Sequence, residues 1–121
     1  MAAIKVTGSK AISPTTQSII CRNWQRVCEQ VRQACCAVDR NFDDVKIVGV
    51  TKYVGPEHIA QLVDAGCCLI GENRPQSLWQ KREWLEVNRK DAASRIEWHF
   101  IGHLQRNKVR RTLPLVYSIQ S

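Results

Sequence analysis

A primary amine at the end of a strand can do carbonyl chemistry, and Lys52 is such an amine. It follows the run Val45-Lys46-Ile47-Val48-Gly49-Val50-Thr51 and precedes Tyr53-Val54-Gly55-Pro56. The run is short, apolar and rich in β-branched residues, and Gly-Pro closes it, which reads as a buried strand feeding a helix. In α/β sheets, ligands and reactive groups gather at the carboxyl ends of the strands. An amine held there, partly desolvated by its neighbours, can form a Schiff base with a carbonyl. The alternative is a solvated surface lysine, the commoner state of this residue type.

Two more segments repeat the pattern. Cys67-Cys68-Leu69-Ile70 ends in Gly71-Glu72-Asn73-Arg74, and Ile96-Glu97-Trp98-His99-Phe100-Ile101 ends in Gly102-His103-Leu104-Gln105-Arg106-Asn107-Lys108. Each run stops at a polar, glycine-containing turn that leads into a helical pattern. Parallel strands would bring the three turns to one rim. V-T-K before Gly-Pro, then G-E-N-R, then W-H-F-I-G-H-L-Q-R-N-K, in that order, closely resembles the pyridoxal-phosphate homeostasis protein family. The last of these stretches is long and specific, and the resemblance runs from about Ser18 to the final residue.

The resemblance implies a single-domain barrel related to the N-terminal domain of alanine racemase. It implies that Lys52 carries pyridoxal 5′-phosphate as an internal aldimine, with Asn73 and His103 as further cofactor-binding residues at the rim. For those two, structural roles stay open: Asn73 could cap the helix starting near Pro75, and His103 could order its turn by bonding a backbone carbonyl. Glu72 and Arg74 read as a local ion pair. No catalytic residue and no metal ligand is assigned.

Length limits how much of that barrel is present. A (β/α)8 barrel takes about 200–250 residues, whereas this chain has 121. Strands are expected near 45–51, 67–71, 96–102 and 115–119, about four of the fold's eight. The expected fold class is therefore α/β, a partial (β/α) barrel preceded by a helix. Residues 1–12 read as an N-terminal extension, with disorder an open alternative, and 13–121 as half of the barrel domain. A half barrel has two sheet edges, here 45–51 and 115–119, and such edges invite pairing, so a homodimer is an expected partner. Phosphate-gripping loops follow the last strands of this fold, so weak binding of the cofactor, or none, is an alternative for this stretch.

The helices are simple to place. Ser13-Pro14 offers an N-cap and a proline at the first helical position. Cys21, Trp24, Cys28, Val31, Cys35 and Val38 then recur at spacings of three and four, one stripe along a helix over residues 14–38. The six cysteines include no C-x-x-C, so no zinc knuckle or thioredoxin-type site is written, and reduced core thiols are expected. Gly55-Pro56 starts a helix with Ile59, Leu62 and Val63 inward and Gly66 as its stop. Pro75 starts another, with Leu78, Trp79 and Leu85 inward and Lys81, Arg82, Glu83 and Glu86 outward. Asn88-Arg89-Lys90-Asp91 has loop composition.

Net charge is +7, and Arg106, Lys108, Arg110 and Arg111 cluster after Gly102. A basic cluster can contact phosphates, but no aromatic residue interleaves with it in sequence as a stacking platform would. Nucleic acid is therefore not an expected partner, and a phosphorylated ligand suits the charge. No apolar run approaches a signal peptide or a membrane span, so a cytoplasmic protein is expected. The functional expectation is reversible pyridoxal-phosphate binding in vitamin B6 homeostasis, without turnover. The alternatives are a racemase-like enzyme and a half barrel with little cofactor binding.

Overall fold

The computed structural model describes the backbone over residues 2–5 and 14–120 and the side chains from Ile19 to Gln120. Its centre is a parallel sheet of five strands in sequential order. These are β1 (Ala2–Lys5), β2 (Ile47–Val50), β3 (Leu69–Glu72), β4 (Glu97–Ile101) and β5 (Ser118–Gln120). Helices α1 (Pro14–Ala37), α2 (Pro56–Ala65) and α3 (Pro75–Asn88) connect them, with the short α4 (Lys90–Ala93) and α5 (Val109–Thr112). Because every pairing is parallel, the carboxyl ends of β2, β3 and β4 share one rim.

Two expectations need correction. Ala2–Lys5, read as part of an extension, forms β1 and pairs in register with Ile47–Val50, so β2 is not a sheet edge. Residues 6–13 lie outside the described residues. Lys90–Ala93 is a helical turn, not a loop. The expected helix and four strands fall where their patterns put them, to within a few residues.

The core lies between the sheet and α2 and α3. Ile59, Leu62, Ile70, Leu78, Leu85 and Phe100 are essentially inaccessible, and each such side chain contributes about 1.5–3 kcal/mol by leaving water. Two glycines let the layers approach. A Cβ on Gly49 would stand 2.8 Å from Leu62 Cδ2. Gly66 ends α2 at φ 118°, in the left-handed region, with the Trp24 indole of α1 3.2 Å from where a Cβ would sit. The stripe on α1 is shallow: Cys35 is buried, Trp24 and Cys28 are half-buried, and Val38 is exposed beyond the helix end. All six cysteines are free thiols.

Candidate functional site

Lys52 occupies the second position of a tight turn. The Thr51 carbonyl accepts the Val54 N–H at 3.3 Å, closing a four-residue turn over 51–54 that presents Lys52. Val54 and Thr51, the two ends, are buried. Lys52 itself is half-buried, and its ammonium lies 5.1 Å from the centre of the Tyr53 ring. A pocket of about 460 Å³ opens beside it, lined by residues 52–57 and, from α3, by Ser77 and Lys81. That volume falls in the range of small-molecule sites.

A buried charge network stands behind this turn. The Glu72 side chain, at the end of β3, is fully enclosed and forms an ion pair with Lys81 of α3, which is itself nearly buried. Thr51 Oγ1 donates to the other Glu72 oxygen at 3.2 Å. Lys81 Nζ also donates to the Thr51 carbonyl at 2.7 Å. That carbonyl therefore holds both the turn's own N–H and a cation from the neighbouring helix. Burial pushes the Glu72 carboxyl above its ordinary range, and the bonds from Lys81 and Thr51 pull the other way.

These contacts overturn two readings. Glu72 pairs with Lys81 and not with Arg74, which is exposed. Lys81 points inward, not outward. Its place was legible in one respect: Leu78, Lys81 and Leu85 follow the i, i+3, i+7 spacing of the buried face of α3. Its charge argued for solvent, and its partner Glu72 lies at the end of the preceding strand, outside the i, i+3 and i, i+4 spacings that pair charges within a helix.

Asn73 and His103 are on the same rim but do not line the Lys52 pocket. Asn73 is half-buried and lies against Gly102, where an added Cβ would be 3.4 Å from its carbonyl oxygen. It does not cap α3, because Arg74 is the N-cap residue. His103 is exposed in the turn after β4. Thr51, Ser77 and Lys81 were not singled out as site residues by the sequence, and the structure puts all three around Lys52.

Farther along the sheet lies a second polar cluster. His99 is fully buried, with Nδ1 2.6 Å from Ser118 Oγ and Nε2 3.2 Å from Glu97 Oε2. With Glu97 ionised, Nε2 carries the ring hydrogen and Nδ1 accepts from the Ser118 hydroxyl. Gln120 Nε2 donates to the same hydroxyl at 3.3 Å. The basic segment after β4 also differs from expectation, since an aromatic does meet it. Arg111 and Lys108 lie 4.1 Å and 5.6 Å from the Trp79 ring centre, and Trp79 Nε1 donates to Thr112 at 3.2 Å. Cations thus already occupy the indole. Among the described residues no His, Cys, Asp and Glu group could hold a metal ion, and no helix is long and apolar enough to cross a membrane.

Known proteins resemble this chain over much of its length. The chain is 39% identical over 101 residues to a pyridoxal phosphate homeostasis protein of Aquifex aeolicus, across 84% of this chain and 42% of that relative. It is 33% identical over 92 residues to the protein of the same name from Escherichia coli, covering 75% and 38% of the two chains. A crystal structure of an unknown protein from Bifidobacterium adolescentis superposes with a TM-score of 0.82 at 30% identity, over 93% of this chain and 48% of that one. No family model matches. The chain spans less than half the length of these curated relatives. The matches show a resemblance to the pyridoxal phosphate homeostasis protein family over part of its members' length, and the fold is a partial (β/α) barrel with an N-terminal helix.

Proposed function

We propose that this chain binds pyridoxal 5′-phosphate through a lysine aldimine at Lys52 and takes part in vitamin B6 homeostasis in the cytoplasm. The observation that carries the reading is the amine's position: Lys52 is the second residue of a clamped turn at the carboxyl rim of a parallel sheet, beside a pocket of small-ligand size. The relatives' shared name supports homeostasis as the role. The donor set suits the cofactor. Ser77 offers a hydroxyl, and the first turn of α2, a ten-residue helix, offers the positive end of its dipole to an anion. The Glu57 carboxylate in the same lining opposes that attraction.

Pyridoxal phosphate supplies an aldehyde when bound. Lys52 would hold that group, its Nζ being the amine at the rim that the aldehyde would meet, with water as the by-product of their condensation. Asn73 and His103 are proposed as contacts from the two neighbouring turns. The proposal extends to assembly: among the described residues β5 is paired in the sheet with β4, and its outer edge is where a second copy would add. Light scattering at micromolar concentration reads that part directly, and a monomer would remove it.

Titration of the purified 121-residue chain with pyridoxal phosphate, followed by absorbance, tests the binding claim. An aldimine band is expected in the native chain and not in Lys52→Ala. Equal bands in both would overturn the assignment.

A further inference from the structure

We infer that Lys81, through its pairing with Glu72 and its bond to the Thr51 carbonyl, is a positioning residue for Lys52; this inference rests on the function proposed for Lys52. Two hydrogen bonds converge on one backbone atom. The Thr51 oxygen closes the 51–54 turn by accepting Val54 N–H at 3.3 Å. It also accepts Lys81 Nζ at 2.7 Å, so the helix α3 cation pins the residue immediately before the reactive lysine. Glu72, fully buried, fixes Lys81 by ion pairing and fixes the Thr51 side chain at 3.2 Å. Both faces of Thr51 are thereby held, and Thr51 N–H donates to the Gly71 carbonyl at 3.1 Å, tying the turn to β3.

The arrangement has a chemical consequence for Lys52. Lys81 lines the same pocket, yet its ammonium is committed to a carboxylate and a carbonyl. A second amine facing an aldehyde would compete for it. The Glu72 carboxylate and the Thr51 carbonyl hold the Lys81 ammonium away from the pocket's opening, leaving Lys52 as the amine positioned for the aldehyde. One buried carboxylate therefore both holds the turn and assigns the chemistry between two lysines. Loose positioning of a reacting group is expensive: a displacement of about 1 Å can cost about 10²-fold.

The test uses Glu72→Gln/Lys81→Met in the full chain, which removes both charges together and leaves no orphaned ion. Leu85→Ala is the control, since it weakens the buried face of α3 without touching Thr51. Two readouts are taken below each variant's melting temperature: amide hydrogen exchange at Val54, and borohydride-trapped pyridoxal phosphate mapped by mass spectrometry. The double variant should exchange Val54 faster and label Lys52 about tenfold less or lower, while Leu85→Ala labels it as the native chain does. Native-like exchange and labelling in the double variant would overturn the inference, as would an equal loss in Leu85→Ala. If the native chain takes no label at Lys52, the functional reading fails instead, and the exchange at Val54 still decides whether Lys81 locks the turn. Label on Lys81 in the native chain would also refute the division of roles.

Discussion

The rim at β2 and β3 and the sheet end at β4 and β5 are built in opposite ways. At β2–β3 a carboxylate and an ammonium are enclosed together and act on a backbone carbonyl beside Lys52. At β4–β5 the buried His99 is bonded to Ser118 and Glu97, side chain to side chain, while the turn that follows leaves His103 in solvent. The first arrangement fixes where an amine starts. The second fixes side chains to each other, and the turn that follows is tied by backbone alone, Gly102 N–H donating to the Gln120 carbonyl at 3.0 Å. Two segments with equally recognisable motifs therefore offer unequal support to a ligand, and the difference lies in what is buried behind each turn.

Lys81→Met should break the stronger side of this contrast most severely. It leaves Glu72 enclosed without its counter-charge, a change worth about 3–5 kcal/mol. Urea unfolding at neutral pH measures it. The loss should shrink on acidification, because a protonated Glu72 needs no partner. A loss below about 1 kcal/mol at neutral pH would place the pair in the weak class of solvated ion pairs.

His58 sharpens the comparison from a third place. It is fully buried in the first turns of α2, yet among the described residues neither ring nitrogen has a hydrogen-bond partner, unlike His99. Burial lowers its pKa below the ordinary 6.5. As pH falls below that value the unfolded chain takes up a proton that the folded chain refuses, so stability drops on the acid side. His58→Leu should raise stability by about 1–3 kcal/mol and flatten thermal unfolding between neutral pH and mildly acid pH. A variant as pH-sensitive as the native chain would assign that slope to other groups.

On the β4–β5 side, Ser118→Ala should cost only about 1 kcal/mol, because Gln120 Nε2 stands 3.5 Å from His99 Nδ1 and can take over the contact. A loss as large as that of Lys81→Met would erase the difference between the two regions. The smallest effect is expected at His103→Ala, within about 0.5 kcal/mol, as for exposed turn residues generally. Differential scanning calorimetry resolves both variants.

The sequence carried the elements well and their long-range partners poorly. Apolar runs bounded by glycine marked β2, β3 and β4, and Pro14, Pro56 and Pro75 marked helix starts, because those signals are local. β1 was missed because Ala2–Lys5 is too short to show a period, and its strand character comes from pairing with β2. Lys52 was legible from its position at a strand end and from the V-T-K resemblance. Lys81 was not, since its charge outweighed its spacing and its partner Glu72 is reached only through the fold. Trp79 likewise meets Arg111 across more than thirty positions of sequence, so a basic run that looked free of aromatics was not.

The central claim is that Lys52 is the amine that takes the cofactor. Borohydride reduction of the chain with stoichiometric pyridoxal phosphate, followed by digestion and mass mapping of every lysine, tests it directly. Modification concentrated on Lys52 is the predicted result. Modification of Lys46, Lys81 or Lys108 with Lys52 left unmodified would contradict it.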